Sequence, residues 1–168
     1  MSEWRLYFYR MLAFFMPEMR GFRIRRFLLN WCGAKIGTGA CVCASARIMG
    51  GGKLVIGDNA WISSEALLRA SPNSVLSIGA NTRIGPRVIL WTGTHKIIGE
   101  GTVAAGDGIS MDISVGAGCW LCAGSIVCPG VAIGDCVVLA AGSVATRSVD
   151  SVEHEIVAGV PAVMKRRI

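Results

Sequence analysis

Two side chains in this 168-residue chain can exchange a proton near neutral pH in their ordinary state, His95 and His154. His154 stands in a polar turn, Asp150-Ser-Val-Glu-His-Glu155, and reads as a solvated turn residue. His95 ends an uncharged run, Trp91-Thr-Gly-Thr-His95, at the mouth of a long insertion. A neutral imidazole there can take a proton from a bound group, so His95 is the candidate general base. Four carboxylates could orient it, Glu65, Glu100, Asp107 and Asp112, and spacing does not choose among them. Seven cysteines include two close pairs, Cys41/Cys43 and Cys119/Cys122. A zinc site needs four clustered ligands, so these read as small apolar core residues, and no metal is expected. Free thiols suit a reducing, cytoplasmic location. Gly37-Thr38-Gly39 is no nucleotide fingerprint, since it lacks the third glycine and the strand–helix setting.

The elements that position His95 follow from a repeat. A large aliphatic residue returns every six positions: Ile36, Val42, Ile48, Leu54; then Ile56, Ile62, Leu68; then Ile78, Ile84, Leu90; then Val115, Leu121, Val127, Ile133, Leu139, with Ala145 continuing. Four residues after each there is usually a small or β-branched one, such as Ala40, Ala60, Thr82, Val88, Cys119, Ser125 or Val131. Gly often follows the aliphatic directly, as at Gly37, Gly57, Gly79 and Gly116. Six is neither the helical 3.6 nor plain strand alternation. It predicts an all-β solenoid of short parallel strands and sharp corners, with aliphatics stacked one coil apart and Gly or Asn taking φ > 0 at the turns. Residues 36–162 suffice for about seven coils of eighteen. Two breaks stand out: the turn cluster Ser71-Pro72-Asn73-Ser74, and an inserted loop over 91–112 that contains His95.

Charge and aromatics divide the chain. Residues 1–35 hold seven Lys/Arg against two Asp/Glu, and nine of the twelve aromatics; net charge over the whole chain is +6. Trp4, Tyr7, Phe8, Met11, Leu12 and Phe15 make one helical stripe, and Ile24, Phe27, Leu28 and Trp31 another, with Pro17 between them. This N-terminal amphipathic helical segment reads as a cap on the first coil or a trimer contact, with peripheral membrane contact through residues 1–31 as an addition. No run there is long enough to span a bilayer. The 22 uncharged residues from Ile113 to Gly134 keep the period of six and read as folded core. The body offers no basic groove for nucleic acid.

The segments Leu76–His95, Asp112–Trp120, Cys128–Asp135, Ala141–Arg147 and Ile156–Ala162, the last with Gly159-Val-Pro-Ala162, resemble the hexapeptide-repeat acetyltransferases, in the maltose/galactoside and polysaccharide O-acetyltransferase branch. The resemblance implies a left-handed parallel β-helix, a hand that physics alone does not favour. It implies acetyl-CoA as co-substrate, a sugar or glycan acceptor, free or lipid-linked, and a site formed between the subunits of a homotrimer. His95 matches the catalytic base, and a backbone N–H near the thioester carbonyl would stabilise the oxyanion. Trp120, Ala123, Ala141, Thr146, Arg147 and, in the basic C-terminal tail 163–168, Lys165 and Arg166 match the coenzyme-binding positions. Glu65 and Trp91 match the acceptor side, where Glu65 replaces the Asn of the galactoside branch. The β-helical carbonic anhydrases are excluded, because they need three zinc-binding histidines and this chain has two. The alternative is a non-catalytic β-helical scaffold, which would bind no acetyl-CoA.

Overall fold

Every sixth residue lands on one of three flat ladders. The computed structural model describes residues 1–99, 101–150 and 154–167. The first face stacks strands Lys35–Ile36, Lys53–Ile56, Val75–Ile78, Ile113–Val115 and Ala132–Ile133. Its register places Ile36, Ile56, Ile78, Val115 and Ile133 directly over one another, and a bridge to Val149 continues the row. The second face aligns Val42, Ile62, Ile84, Leu121, Leu139 and Val157. The third aligns Ile48, Leu68, Leu90, Val127 and Ala145. All of these side chains are buried except Val149, which is half-buried, so the solenoid interior is a continuous aliphatic core. The result is a left-handed parallel β-helix of about six turns rather than seven. The Ser71–Ser74 turn and the 91–112 insertion use residues that contribute no coil.

The corners are closed by the small residues that the period marks. Ala40, Ala60, Thr82, Cys119, Ser125 and Val131 are all buried. Thr82 is satisfied there: its hydroxyl donates to the Gly116 carbonyl (2.6 Å) and accepts from the Cys119 N–H (3.1 Å). The glycine after each aliphatic has a different reason from the expected one. A Cβ at Gly57 or Gly79 would lie 2.5 Å from the backbone nitrogen of Ala80 or Ala117 in the next coil, so close approach of coils excludes a side chain. The left-handed conformation falls two residues later, at Asn59 (φ 55°), Asn81 (φ 59°) and Gly118 (φ 64°).

The helices α1 (Glu3–Phe14) and α2 (Phe22–Trp31) close the open edge of the first coil. They do so with Leu6, Tyr9, Ala13, Arg25 and Leu29, the residues that are buried. The aromatic stripes are on the other side: Trp4, Tyr7, Phe8, Met11, Phe15, Ile24, Phe27 and Trp31 stay exposed. Arg25 is fully buried and donates to three carbonyls, Val42 (Nε, 2.6 Å), Pro17 (3.1 Å) and Glu18 (3.1 Å). Residues expected as a basic tail form instead the strand Ala162–Arg167, which turns back antiparallel on Glu155–Gly159.

Candidate active site

The 91–112 insertion is a β-hairpin. The chain leaves the third face after Trp91 and returns to the first at Ile113. At its root the Thr92 N–H donates to the Arg69 carbonyl (3.1 Å), and the Met111 N–H donates to the Thr92 carbonyl (2.8 Å). Strands Gly93–Ile97 and Ala105–Ser110 pair antiparallel, with His95 opposite Gly108 and an irregularity just beyond it. His95 Nδ1 lies 2.9 Å from the Gly106 carbonyl oxygen. A carbonyl only accepts, so Nδ1 carries the hydrogen, and Nε2 is left with its lone pair free. That is the tautomer a general base requires.

A backbone carbonyl, rather than Glu65, Asp107 or Asp112, therefore holds the ring. Glu65 stands at the corner between the second and third faces, paired with Arg87 at 2.7 Å. Asp112 accepts the Val75 N–H (2.8 Å) and so ties the hairpin's return to the first face. Asp107 is exposed on the hairpin, and Glu100 lies outside the described residues.

His95 and Trp91 meet in one cleft of about 320 Å³, lined also by Arg69, Ser71, Gly93, Thr94, Gly108, Ile109 and Ser110. Its floor is rigid. Thr92 Oγ1 accepts the Ser71 N–H (2.8 Å) and shares a hydrogen bond with Ser74 Oγ (2.6 Å), and Ser74 Oγ donates to the Ser71 carbonyl (2.7 Å). Glu65 does not line this cleft. Arg69, Ser71 and Gly106 were not singled out from sequence. Arg69 could have been: it follows Leu68 as Trp91 follows Leu90, so the repeat puts both side chains outside, on adjacent coils.

The coenzyme candidates occupy other parts of the prism. Trp120 is 55% exposed on the outside of the second face, in a row that runs through Val138 and Ile156 to Arg166. Ala123 and Ala141 stack at the next corner, where the Gly142 N–H donates to the Ala123 carbonyl (3.0 Å), and both are exposed. A Cβ on Gly124 or Gly142 beside them would meet nothing within 4 Å, so this corner is an open backbone shelf. Thr146 and Arg147 are exposed beyond the third face, and Lys165 lies on the C-terminal strand. Within one chain His95 and the shelf are on different corners, separated by the width of the third face, roughly 15–20 Å for six residues of strand.

The paired cysteines belong to the wall of the solenoid. Burial pushes the Cys43 and Cys119 thiols up, against the thiolate a metal requires, and the Cys119 thiol donates to the Gly134 carbonyl (3.0 Å).

No protein-family model matches the chain. Over 146 residues it is 34% identical to a protein of Escherichia coli (strain K12) provisionally named colanic acid biosynthesis acetyltransferase WcaF, covering 86% of this chain and 75% of that one. Over 144 residues it is 29% identical to the galactoside O-acetyltransferase of the same strain, covering 86% and 68%. Its fold superposes on a galactoside acetyltransferase in complex with coenzyme A (TM-score 0.81, 22% identity, 98% of this chain and 80% of the other). A hexapeptide-repeat acetyltransferase of Vibrio cholerae O1 biovar eltor, complexed with acetyl coenzyme A, gives a TM-score of 0.79 at 21% identity, covering 98% and 86%.

Proposed function

This chain belongs to the hexapeptide-repeat acetyltransferases, and on that premise we propose that it moves an acetyl group from acetyl-CoA to a sugar hydroxyl in surface polysaccharide assembly. The observation that carries the reading is the His95 ring, held through Nδ1 by the Gly106 carbonyl with Nε2 free at the cleft. The acceptor hydroxyl gives its proton to Nε2 while its oxygen attacks the thioester carbonyl. The tetrahedral oxyanion then collapses, the C–S bond breaks, and the imidazolium returns the proton to the departing thiolate. The Gly106 carbonyl accepts from Nδ1–H throughout and keeps the ring oriented between these steps. No covalent enzyme intermediate and no metal are required.

The acetyl donor fits the shelf at Ala123 and Ala141, where a pantetheine arm can run against bare backbone, with Trp120 beside it and Arg147, Lys165 and Arg166 available for phosphates. The placement of the shelf and His95 on different corners supports a site shared between copies, in which a second copy brings its shelf to the first copy's hairpin and a three-sided prism closes as a homotrimer. Trp91 then offers the acceptor an apolar wall, and Glu65, paired with Arg87, a polar edge from the facing corner. His95→Ala should lower kcat by about 10²–10⁴-fold with little change in the KM for acetyl-CoA. Near-normal turnover would end the mechanism. His95→Ala co-expressed with Ala141→Trp should recover activity that neither has alone, and no recovery would place the whole site in one chain.

The N-terminal helices supply the membrane contact. Phe14 (83%), Phe15 (81%), Phe27 (71%) and Trp4 (65%) are the most exposed of their aromatics, and Arg5, Arg10, Arg20, Arg23 and Arg26 belong to the same segment. The Arg5 guanidinium stacks on Trp31 (4.8 Å) and Trp4 (5.3 Å). Exposed aromatics and arginines in one segment suit an anionic bilayer surface, and no described helix is long and apolar enough to cross a membrane. Phosphatidylcholine vesicles containing phosphatidylglycerol should sediment the protein, and a triple Phe14/Phe15/Phe27→Ser variant should stay in solution. A wild-type protein that stays in solution with these vesicles would refute the contact.

A further inference from the structure

Arg69 is a cation beside the proposed base with no counter-ion in the cleft among the described residues. It projects from the third face in register with Trp91 on the next coil, and its guanidinium lies 4.9 Å from the Trp91 ring centre. Its Nε is buried, with no hydrogen-bond acceptor among the described residues. Among the described residues, the cleft it shares with His95 has no Asp or Glu in its lining. Glu3 lines the adjoining groove, with Leu6, Arg10 and Gly50, but makes no ion pair with Arg69. Glu65 is taken by Arg87, and Asp112 by the Val75 N–H.

An unpaired guanidinium with a buried, unsatisfied donor is costly to fold, and stacking on an indole offsets only part of that cost. The arrangement becomes favourable when an anion fills it. A neutral sugar hydroxyl accepts weakly from guanidinium, whereas a planar carboxylate or a phosphate accepts through two oxygens at once. Ser71 and Ser110 line the same cleft and can donate to the remaining oxygens. Because Trp91 fixes the plane of Arg69 next to His95, an anion bound there sets which hydroxyl of the sugar reaches Nε2.

We infer that Arg69 selects an acceptor with an anionic group close to the acetylated hydroxyl, either the carboxylate of a uronic acid or the phosphate of a glycosyl phosphate. The inference rests on the acetyl-transfer reading. The test follows release of the coenzyme A thiol with three probes, each in gluco and galacto form: the methyl glycoside, the methyl glycoside of the uronic acid, and the sugar 1-phosphate. For the wild type, kcat/KM on one anionic probe should exceed that on the neutral one by about tenfold or more, the size expected of a hydrogen-bonded charge pair. Which anionic probe wins identifies the source of the charge. Arg69→Gln should collapse the ratio of anionic to neutral kcat/KM toward one, and Arg69→Lys should restore part of it. A ratio that Arg69→Gln leaves unchanged, or a neutral acceptor preferred by the wild type, would overturn the inference. So would a defect in Arg69→Gln confined to the KM for acetyl-CoA, since Arg69 would then serve the donor. If no probe is acetylated, the transfer reading fails at that step. Calorimetric titration of the anionic probes into wild type and Arg69→Gln still decides Arg69 alone: loss of binding in the variant supports it, and equal or absent binding refutes it.

Discussion

Replacing Arg25 by Met tests whether one buried cation fastens the helical segment to the solenoid. Met keeps much of the apolar stem and removes all five donors. Val42 belongs to the first coil, whose outer edge has no strand to pair with, and its carbonyl receives Arg25 Nε at 2.6 Å. The Pro17 and Glu18 carbonyls receive the two terminal nitrogens at 3.1 Å. Hydrogen bonds to a charged group are worth about 1.5–3 kcal/mol each, so three would sum to about 5–9 kcal/mol. Two corrections reduce that sum. The substitution also removes the cost of burying a cation, and the Pro17–Glu18 carbonyls, in the linker between the helices, can turn to water. About 2–4 kcal/mol should remain, or roughly 4–16 °C in the midpoint of a chain this size. Because a solenoid is stabilised coil by coil, the loss should concentrate on residues 1–62. Thermal melting read by circular dichroism, with amide hydrogen exchange resolved by segment, measures both. A midpoint lowered by less than 2 °C, or faster exchange spread evenly to the coils around Leu121, would refute the reasoning.

The neighbouring Tyr9 predicts the opposite outcome. Burial pushes its phenol up, with the Arg25 charge pulling in the other direction, and its hydroxyl is buried without a partner. Tyr9→Phe should therefore leave the melting midpoint unchanged or raise it, and a clear loss would reveal a hydrogen bond absent from this arrangement. At Glu18 desolvation raises the carboxyl, but donation from the Ser45 and Ser64 hydroxyls and the Ser45 N–H, helped by Arg25, outweighs it and holds the group below its ordinary value. Its contribution is present above the ordinary value of about 4.3 and is lost as pH falls below it. Exchange in residues 15–21 should thus quicken in acid before the coils loosen, and Glu18→Gln should abolish that pH dependence. In ¹⁵N spectra at neutral pH the His95 ring should be protonated at Nδ1 and bare at Nε2, whereas the reverse assignment would remove the free lone pair on which the transfer reading depends.

The aliphatic ladders were legible because stacking equivalent residues one coil apart leaves a strict period, from Ile36 to Ala145, and the corners were legible because only small or β-branched side chains fit there. His95 was legible as the histidine at the break in that period. Other features left no such mark. The residue that orients His95 is a carbonyl, and Gly106 carries no side chain to betray it. The stripes Trp4–Phe15 and Ile24–Trp31 marked an apolar face on each helix but did not reveal that Leu6, Tyr9 and Leu29 face the core while most of the stripe faces out. Nor did composition suggest that an arginine would lie fully buried, since the carbonyls that satisfy Arg25 come from the linker and the first coil. Lys165-Arg166-Arg167 looked like a solvated tail because charge masked a strand whose pairing is antiparallel, unlike the coils before it.

Thr92 and Met111 are joined by a 2.8 Å hydrogen bond where the hairpin leaves and re-enters the solenoid. The two ends of the excursion are thereby clamped, and the coils above and below keep their register whatever lies between them. The hairpin that carries the proposed base is in that sense an interchangeable cassette. Its length can be altered to reshape the cleft around His95 without shifting a single rung of the aliphatic ladders, so the shape of the proposed site and the stability of the fold can vary independently in this architecture.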